Sequence, residues 1–236
     1  NKASLTVTGA NNTVTYNGFV QTNSGASYSG QQGSDSFTIS GYASGTNTAT
    51  YTDNLSVSGS ALSNYAVTYN NGSLVIGKAN LTITGSTRTV TYNAGAQTNT
   101  YSTSGLVGSD AVTSVTGVAT GTNYSATPYA DNLSAVSGSG LDNYTINYVN
   151  GSLTINKASL TVTGANTTVT YNGAPQTNAV ATVLGQQGSD SFTVSGYASG
   201  TNAATYIDNL SVSGSALSNY AVTYNNGSLV IGKANL

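Results

Sequence analysis

Twelve side chains carry formal charge in this 236-residue sequence, seven acids and five cations, and any ionic chemistry must start from them. All seven acids are Asp, and His, Cys, Met, Trp and Glu are absent. Six of the acids recur as two sets of three, Asp35/Asp110/Asp190 and Asp53/Asp131/Asp208. Such carboxylates bend and cap loops through their own hydrogen bonds. The alternative is calcium, which wants several oxygens from one site, although no DxDxD run occurs. Lys2, Lys78, Lys157 and Lys233 are evenly spaced. They read as junction charges paired with an Asp. The reactive alternative is a Lys–Asn isopeptide crosslink, which needs a buried acid beside the pair. Thr-x-Thr pairs such as Thr6/Thr8 and Thr13/Thr15 could build an ice-binding ladder. They alternate with Val, however, as on any half-solvated sheet.

The missing residue types exclude more than the present ones suggest. Without His and Cys there is no ordinary zinc or haem site, no Ser–His or Cys–His nucleophile and no imidazole acid or base. A net charge of −2 offers no basic field for nucleic acid or anionic lipid. No apolar run approaches the roughly 20 residues that cross a bilayer. We therefore expect a non-enzymatic protein with no catalytic, cofactor-binding or metal-binding residues, no cofactor, no nucleic-acid partner and no membrane insertion. At 38% hydrophobic the chain can still bury a core. Seventeen Tyr against three Phe suits half-buried strand faces with one wet end.

The elements that position these residues repeat. The tetrads beginning at Lys2, Lys78, Lys157 and Lys233 are spaced by 76, 79 and 76 residues, the mark of a tandem array. Residues 2–77 and 157–232 differ at 11 of 76 positions, whereas the middle repeat diverges from both. The organisation is repeat A (1–77), repeat B (78–156), A′ as a near-copy of A (157–232), and the start of a further B (233–236). The chain thus begins and ends inside the pattern and reads as an excerpt. Seven of the eleven differences fall in 19–29 and its counterpart 174–184, which we read as a variable loop or edge strand, or else a variable binding surface.

Each repeat reads as short strands with no helix. Leu5–Thr8, Val14–Tyr16, Ser36–Tyr42, Ala49–Tyr51, Asp53–Val57, Tyr65–Tyr69 and Ser73–Ile76 are β-rich. Asn70-Asn71-Gly72 between the last two predicts a hairpin with a type I′ turn. Apolar residues change phase from Leu74/Ile76 to Leu81/Ile83, so one repeat should run into the next through a bulge or short bend.

Three motifs carry a resemblance. K-A-x-L-T-[VI]-T opens at 2–8, 78–84 and 157–163; T-V-T-Y-N with a nearby Gly follows at 13–18, 89–95 and 168–173; N-Y-x-[VI]-x-Y-x-N-G-S-L-x-I closes at 64–76, 143–155 and 219–231. The sequence resembles the MBG repeats, and the related YDG repeats, of large secreted bacterial adhesins and filamentous-haemagglutinin-like exoproteins. The resemblance implies an all-β stalk module outside a bacterial cell and carries over no catalytic residue. The expected fold is all-β, with tandem small β-sandwich or β-grasp-like modules joined by continuous strands into an extended rod. The expected role is structural, as a stalk repeat of a cell-surface adhesin or extracellular fibre. Alternatives are a self-assembling filament subunit and a glycan- or cell-binding module. Expected partners are neighbouring repeats, other copies in a fibre, and host or cell-surface glycan.

Overall fold

Leu5 and Val7 alternate with polar residues along β1 (Ala3–Thr8), and both are fully buried. Full burial of such a side chain stabilises by about 1.5–3 kcal/mol, which sets the face that β1 presents to the core. The computed structural model describes residues 1–235, so Leu236, the last residue of the fourth tetrad, lies outside the described residues. Repeat A continues with β2 (Asn11–Thr15), β3 (Gln21–Thr22), β4 (Ser27–Ser29), β5 (Thr38–Ser40), β6 (Ser44–Gly45), β7 (Ala49–Thr52), β8 (Ser56–Ser58), a 3-10 turn at Leu62–Asn64, β9 (Tyr65–Asn70) and β10 (Ser73–Gly77). The same order recurs in the next two repeats. The chain is all-β, and its described helical pieces are the 3-10 turns Leu62–Asn64, Leu141–Asn143 and Leu217–Asn219.

Two three-stranded sheets frame each module. In repeat A one has the order β4-β1-β9 and the other β2-β10-β7, with two-stranded ribbons β3-β6 and β5-β8 beside them. The first and last strand pairs run parallel: Leu5 lies opposite Val67 on β9, and Val14 opposite Ile76 on β10. This overturns the hairpin expected at Asn70-Asn71-Gly72. β9 and β10 do not pair with each other; they belong to different sheets, and each takes a partner from the start of the repeat. Neither Asn71 nor Gly72 adopts the positive φ of a type I′ turn. Glycine is needed for a different reason. The β1–β2 and β9–β10 bends cross back to back, and a Cβ on Gly72 would collide with the carbonyl of Ala10.

Only Lys78 separates β10 from the strand Ala79–Gly85, and only Lys157 separates Ser152–Asn156 from Ala158–Gly164. The phase change at the second junction has a clear result. Leu153 and Ile155 before Lys157, and Leu160 and Val162 after it, join one core with Tyr92, Leu210, Val212 and Tyr220. The strands on either side lie in different sheets, so a shift of one residue turns the apolar face back onto a shared core.

The chain forms two compact units whose boundaries do not follow the repeats. One comprises 1–84, 101–117 and 133–149; the other comprises 85–100, 118–132 and 150–236. Repeat B is divided between them. In the first unit, Leu5, Val7, Phe37, Leu55, Val57 and Tyr65 form a core under β1 and β9. In the second, Ala198, Leu229 and Ile231 form a smaller one.

Candidate functional site

Asp53 marks the crossing of the two bends. It is 3% exposed, and its carboxylate accepts hydrogen bonds from Asn23 Nδ2 (2.9 Å to each oxygen), the Ala43 amide (2.8 Å) and the Gly72 amide (3.2 Å). Asn23 Nδ2 also donates to the Ala10 carbonyl at 2.9 Å, tying the other bend to the same point. Asp131 repeats the clamp with Asn99, the Ala119 amide and the Gly151 amide. Asp208 does so with Asn178, the Ala198 amide and the Gly227 amide. The expected local turn chemistry is therefore corrected to a buried clamp between distant segments. Its carboxylates face N–H donors, an environment made for an anion and unsuited to calcium.

One further bond of the clamp varies between repeats. Asn23 Oδ1 accepts from Asn12 Nδ2 at 2.6 Å, and Asn178 Oδ1 accepts from Thr167 Oγ1 at 2.8 Å. Repeat B has Arg88 at that position, and its guanidinium reaches the Thr98 carbonyl instead. Among the described residues, Asn99 Oδ1 is left buried without a partner.

The other aspartate set builds the joint between repeats. In the first unit, Tyr16 of repeat A and Tyr144 of repeat B both donate their hydroxyls to Asp110 Oδ2, each at 2.8 Å. Their rings meet edge to face, with centroids 5.5 Å apart. The Asn143 side chain closes the joint from a second side. It accepts from the Thr48 amide at 2.8 Å and donates to Asn47 Oδ1 at 3.2 Å. Gly18 backs onto Gly108, and a Cβ on Gly18 would come within 3.2 Å of the Gly108 backbone. In the second unit, Tyr92 and Tyr220 share Asp190 Oδ2 at 2.9 and 2.6 Å. Asn219 there bridges the Tyr124 amide and Asn123 Oδ1.

These joints raise the tyrosine pKa values. The hydrogen bond to Asp110 and then burial push Tyr16 up to about 12. Burial, followed by the Asp190 bond, pushes Tyr220 up to about 12. Burial first, then the Asp190 bond, raises Tyr92. Burial likewise leads in raising Tyr144. Ionising any of these hydroxyls would remove a donor and set a phenolate beside a carboxylate.

The remaining candidates stay apart. Lys2, Lys78 and Lys157 are exposed, which removes the buried environment that an isopeptide bond requires. Lys157 Nζ lies 4.9 Å above the ring of Tyr124, a cation–π contact in place of the expected Asp pairing. Thr13 and Thr15 are exposed on β2, while Thr6 on β1 is half-buried and belongs to another sheet. Within the variable stretch 19–29, Phe19 and Val20 are each 69% exposed ahead of β3, Asn23 is buried in the clamp, and β4 lies at a sheet edge. Its counterpart Ala181–Leu184 is likewise an edge strand, and Leu184 there is 67% exposed. Inward, Tyr28 packs on Phe37, and Val183 takes its place in the later repeat.

Sequence reasoning missed Asn23, Asn99 and Asn178, and also the pairing of Tyr16 and Tyr92 with the joints. Their signal was present: Q-T-N at 21–23, 97–99 and 176–178, and the Tyr of T-V-T-Y-N, occur once per repeat. Compared with known proteins, the chain matches no protein-family model, no curated protein and no solved structure.

Proposed function

We propose that the chain is a structural, non-catalytic stalk repeat of a bacterial cell-surface adhesin or extracellular fibre. The observation that supports this most is the joint. One residue links the strands of successive repeats, and a Tyr–Asp–Tyr cluster with a buried Asn bridge holds each joint inside a compact unit. Such a joint leaves little hinge freedom, and relative freedom of neighbouring modules is the usual outcome where linkers are long and interfaces small. The MBG-like motifs supply the cellular setting of this proposal. Small-angle scattering on chains of two, four and six repeats tests it. The maximum dimension should grow in proportion to repeat number, and a jointed, coil-like profile would refute it.

Lateral assembly into a multi-chain filament is the second reading, favoured by the free edge strand Ala181–Leu184. Val180 and Leu184 are 60% and 67% exposed there, with no gatekeeping charge in the strand. If that edge drives assembly, Leu184→Lys abolishes fibres seen by electron microscopy. Unchanged fibres would exclude the edge.

A further inference from the structure

Asn-Gly is the dipeptide that most readily loses its side-chain amide, because glycine lets its own nitrogen reach the asparagine carbonyl carbon. The sequence holds five: Asn17-Gly18, Asn71-Gly72, Asn150-Gly151, Asn172-Gly173 and Asn226-Gly227. All five asparagines are exposed, so access to water does not separate them. What separates them is the glycine N–H, which must give up its proton before the nitrogen can attack.

In three of the five, the clamp holds that proton. The Gly72, Gly151 and Gly227 amides donate to Asp53, Asp131 and Asp208 at 3.2, 2.9 and 3.0 Å. An amide anion beside a carboxylate is a pair of like charges, which disfavours it. Asn71 Oδ1 and Asn226 Oδ1 also accept from the Leu55 and Leu210 amides at 3.1 Å, which ties each side chain to another segment. Asn17 and Asn172 are arranged differently. Their Oδ1 atoms accept from the amides two residues on, Phe19 and Ala174, each at 3.0 Å. This turn folds the side chain over the intervening peptide. The Gly18 and Gly173 amides have no hydrogen-bond partner among the described residues. Repeat B makes the same turn between Asn93 and the Gly95 amide, at 3.0 Å, but there Ala94 stands between them with a φ of 63°.

We propose that Asn17 and Asn172 are deamidation sites and that the aspartate clamps protect the other three Asn-Gly bends. The Gly18 nitrogen attacks Asn17 Cγ. The new N–C bond forms, the Cγ–Nδ2 bond breaks, and ammonia leaves with the amide proton. Water, the one co-reactant, then opens the cyclic imide at either of its two C–N bonds, giving aspartate or isoaspartate. At Asn17 the product stands beside Tyr16, whose hydroxyl binds Asp110. Isoaspartate also lengthens the backbone just before Gly18, which backs onto Gly108. The joint between repeats A and B thus carries a site of ageing that Ala94 keeps out of the next joint. This goes beyond the stalk reading and does not depend on it.

Peptide mapping by mass spectrometry after days in mildly alkaline buffer provides the test. In the folded chain, product should form at Asn17 and Asn172, whose peptides differ at Phe19-Val20 against Ala174-Pro175. At Asn150, and at Asn71 and Asn226, which share one peptide sequence, it should form at least about tenfold more slowly, the factor that one hydrogen bond to a charged group supplies. In denaturant, where the clamps are gone, all five should react at similar rates. Ala94→Gly relieves a positive φ and creates a further Asn-Gly turn of the unclamped kind, so Asn93 should then react as Asn17 does. Asn150 reacting as fast as Asn17 in the folded chain, a folded Asn17 that stays intact while denatured Asn17 reacts, or an Ala94→Gly chain with Asn93 unmodified overturns the proposal. None of these outcomes touches the scattering test of the stalk.

Discussion

Replacing Asp131 by Ala tests whether the buried clamp holds a module together. The carboxylate accepts from Asn99 Nδ2 at 2.9 and 3.1 Å, from the Ala119 amide at 2.7 Å and from the Gly151 amide at 2.9 Å. Asn99 Nδ2 keeps one acceptor, the Ser86 carbonyl at 2.7 Å. The Ala119 and Gly151 amides lose the carboxylate that they bind in the clamp. Hydrogen bonds to a charged group are worth about 1.5–3 kcal/mol each, and an orphaned buried donor costs about 1–3 kcal/mol. Because these losses overlap, and Gly151 is half-buried where water can reach it, we expect a destabilisation of about 3–5 kcal/mol. Domains are stable by only about 0.05–0.15 kcal/mol per residue, so a module of this size would lose a large share of its stability. Repeat B is the place for the experiment because its peptides are unique, whereas those of A and A′ largely coincide. Hydrogen exchange read by mass spectrometry should show faster exchange across 97–99, 118–121 and 150–153. A loss below about 1 kcal/mol, or protection unchanged in those peptides, would refute the clamp.

The joints should be sensitive to alkali. The folded-state pKa values of Tyr16 and Tyr220 lie at about 12, above the ordinary 10.0, so their contribution is complete below pH 10 and is lost as pH rises through about 12. Tyrosinate absorbance followed together with near-ultraviolet circular dichroism should show these joints opening in that window, and full retention of the dichroism above it would count against the shared carboxylates. Arg88→Thr should supply the donor that Asn99 Oδ1 lacks, as Thr167 does for Asn178, and raise the stability of repeat B by about 1 kcal/mol; denaturant unfolding that shows a loss would refute this. With only twelve charged side chains and the joints held by part-buried hydrogen bonds, the maximum dimension should stay constant between low and high salt in scattering, and a strong change would refute it.

Much of the architecture is local, and so it can be read from residues alone. Leu5/Val7, Leu74/Ile76 and Leu81/Ile83 alternate with polar neighbours, and the structure buries all six. The three phase marks K-A-x-L, T-V-T-Y-N and N-G-S-L locate the same strands in each repeat. The short strands β3, β4 and β6 were not legible, because two or three residues carry no period. Ser36–Tyr42 shortened to β5 because only Thr38–Ser40 finds a partner, on β8.

The sequence by itself determined the all-β class, the repeat lengths and the placement of charge at junctions and bends, since each follows from spacing and residue type. The tertiary structure alone decided who pairs with whom. Asn70-Asn71-Gly72 bears the signature of a hairpin, yet burying both apolar faces sends β9 and β10 into different sheets, each parallel to a strand some sixty residues earlier. Asp53 and Asp110 look alike in sequence as recurring loop acids. The fold buries one among N–H donors and hands the other to two tyrosines from successive repeats. Spacing along a chain cannot encode that difference, because it arises from which distant donors the packed sheets bring within hydrogen-bond distance of a carboxylate.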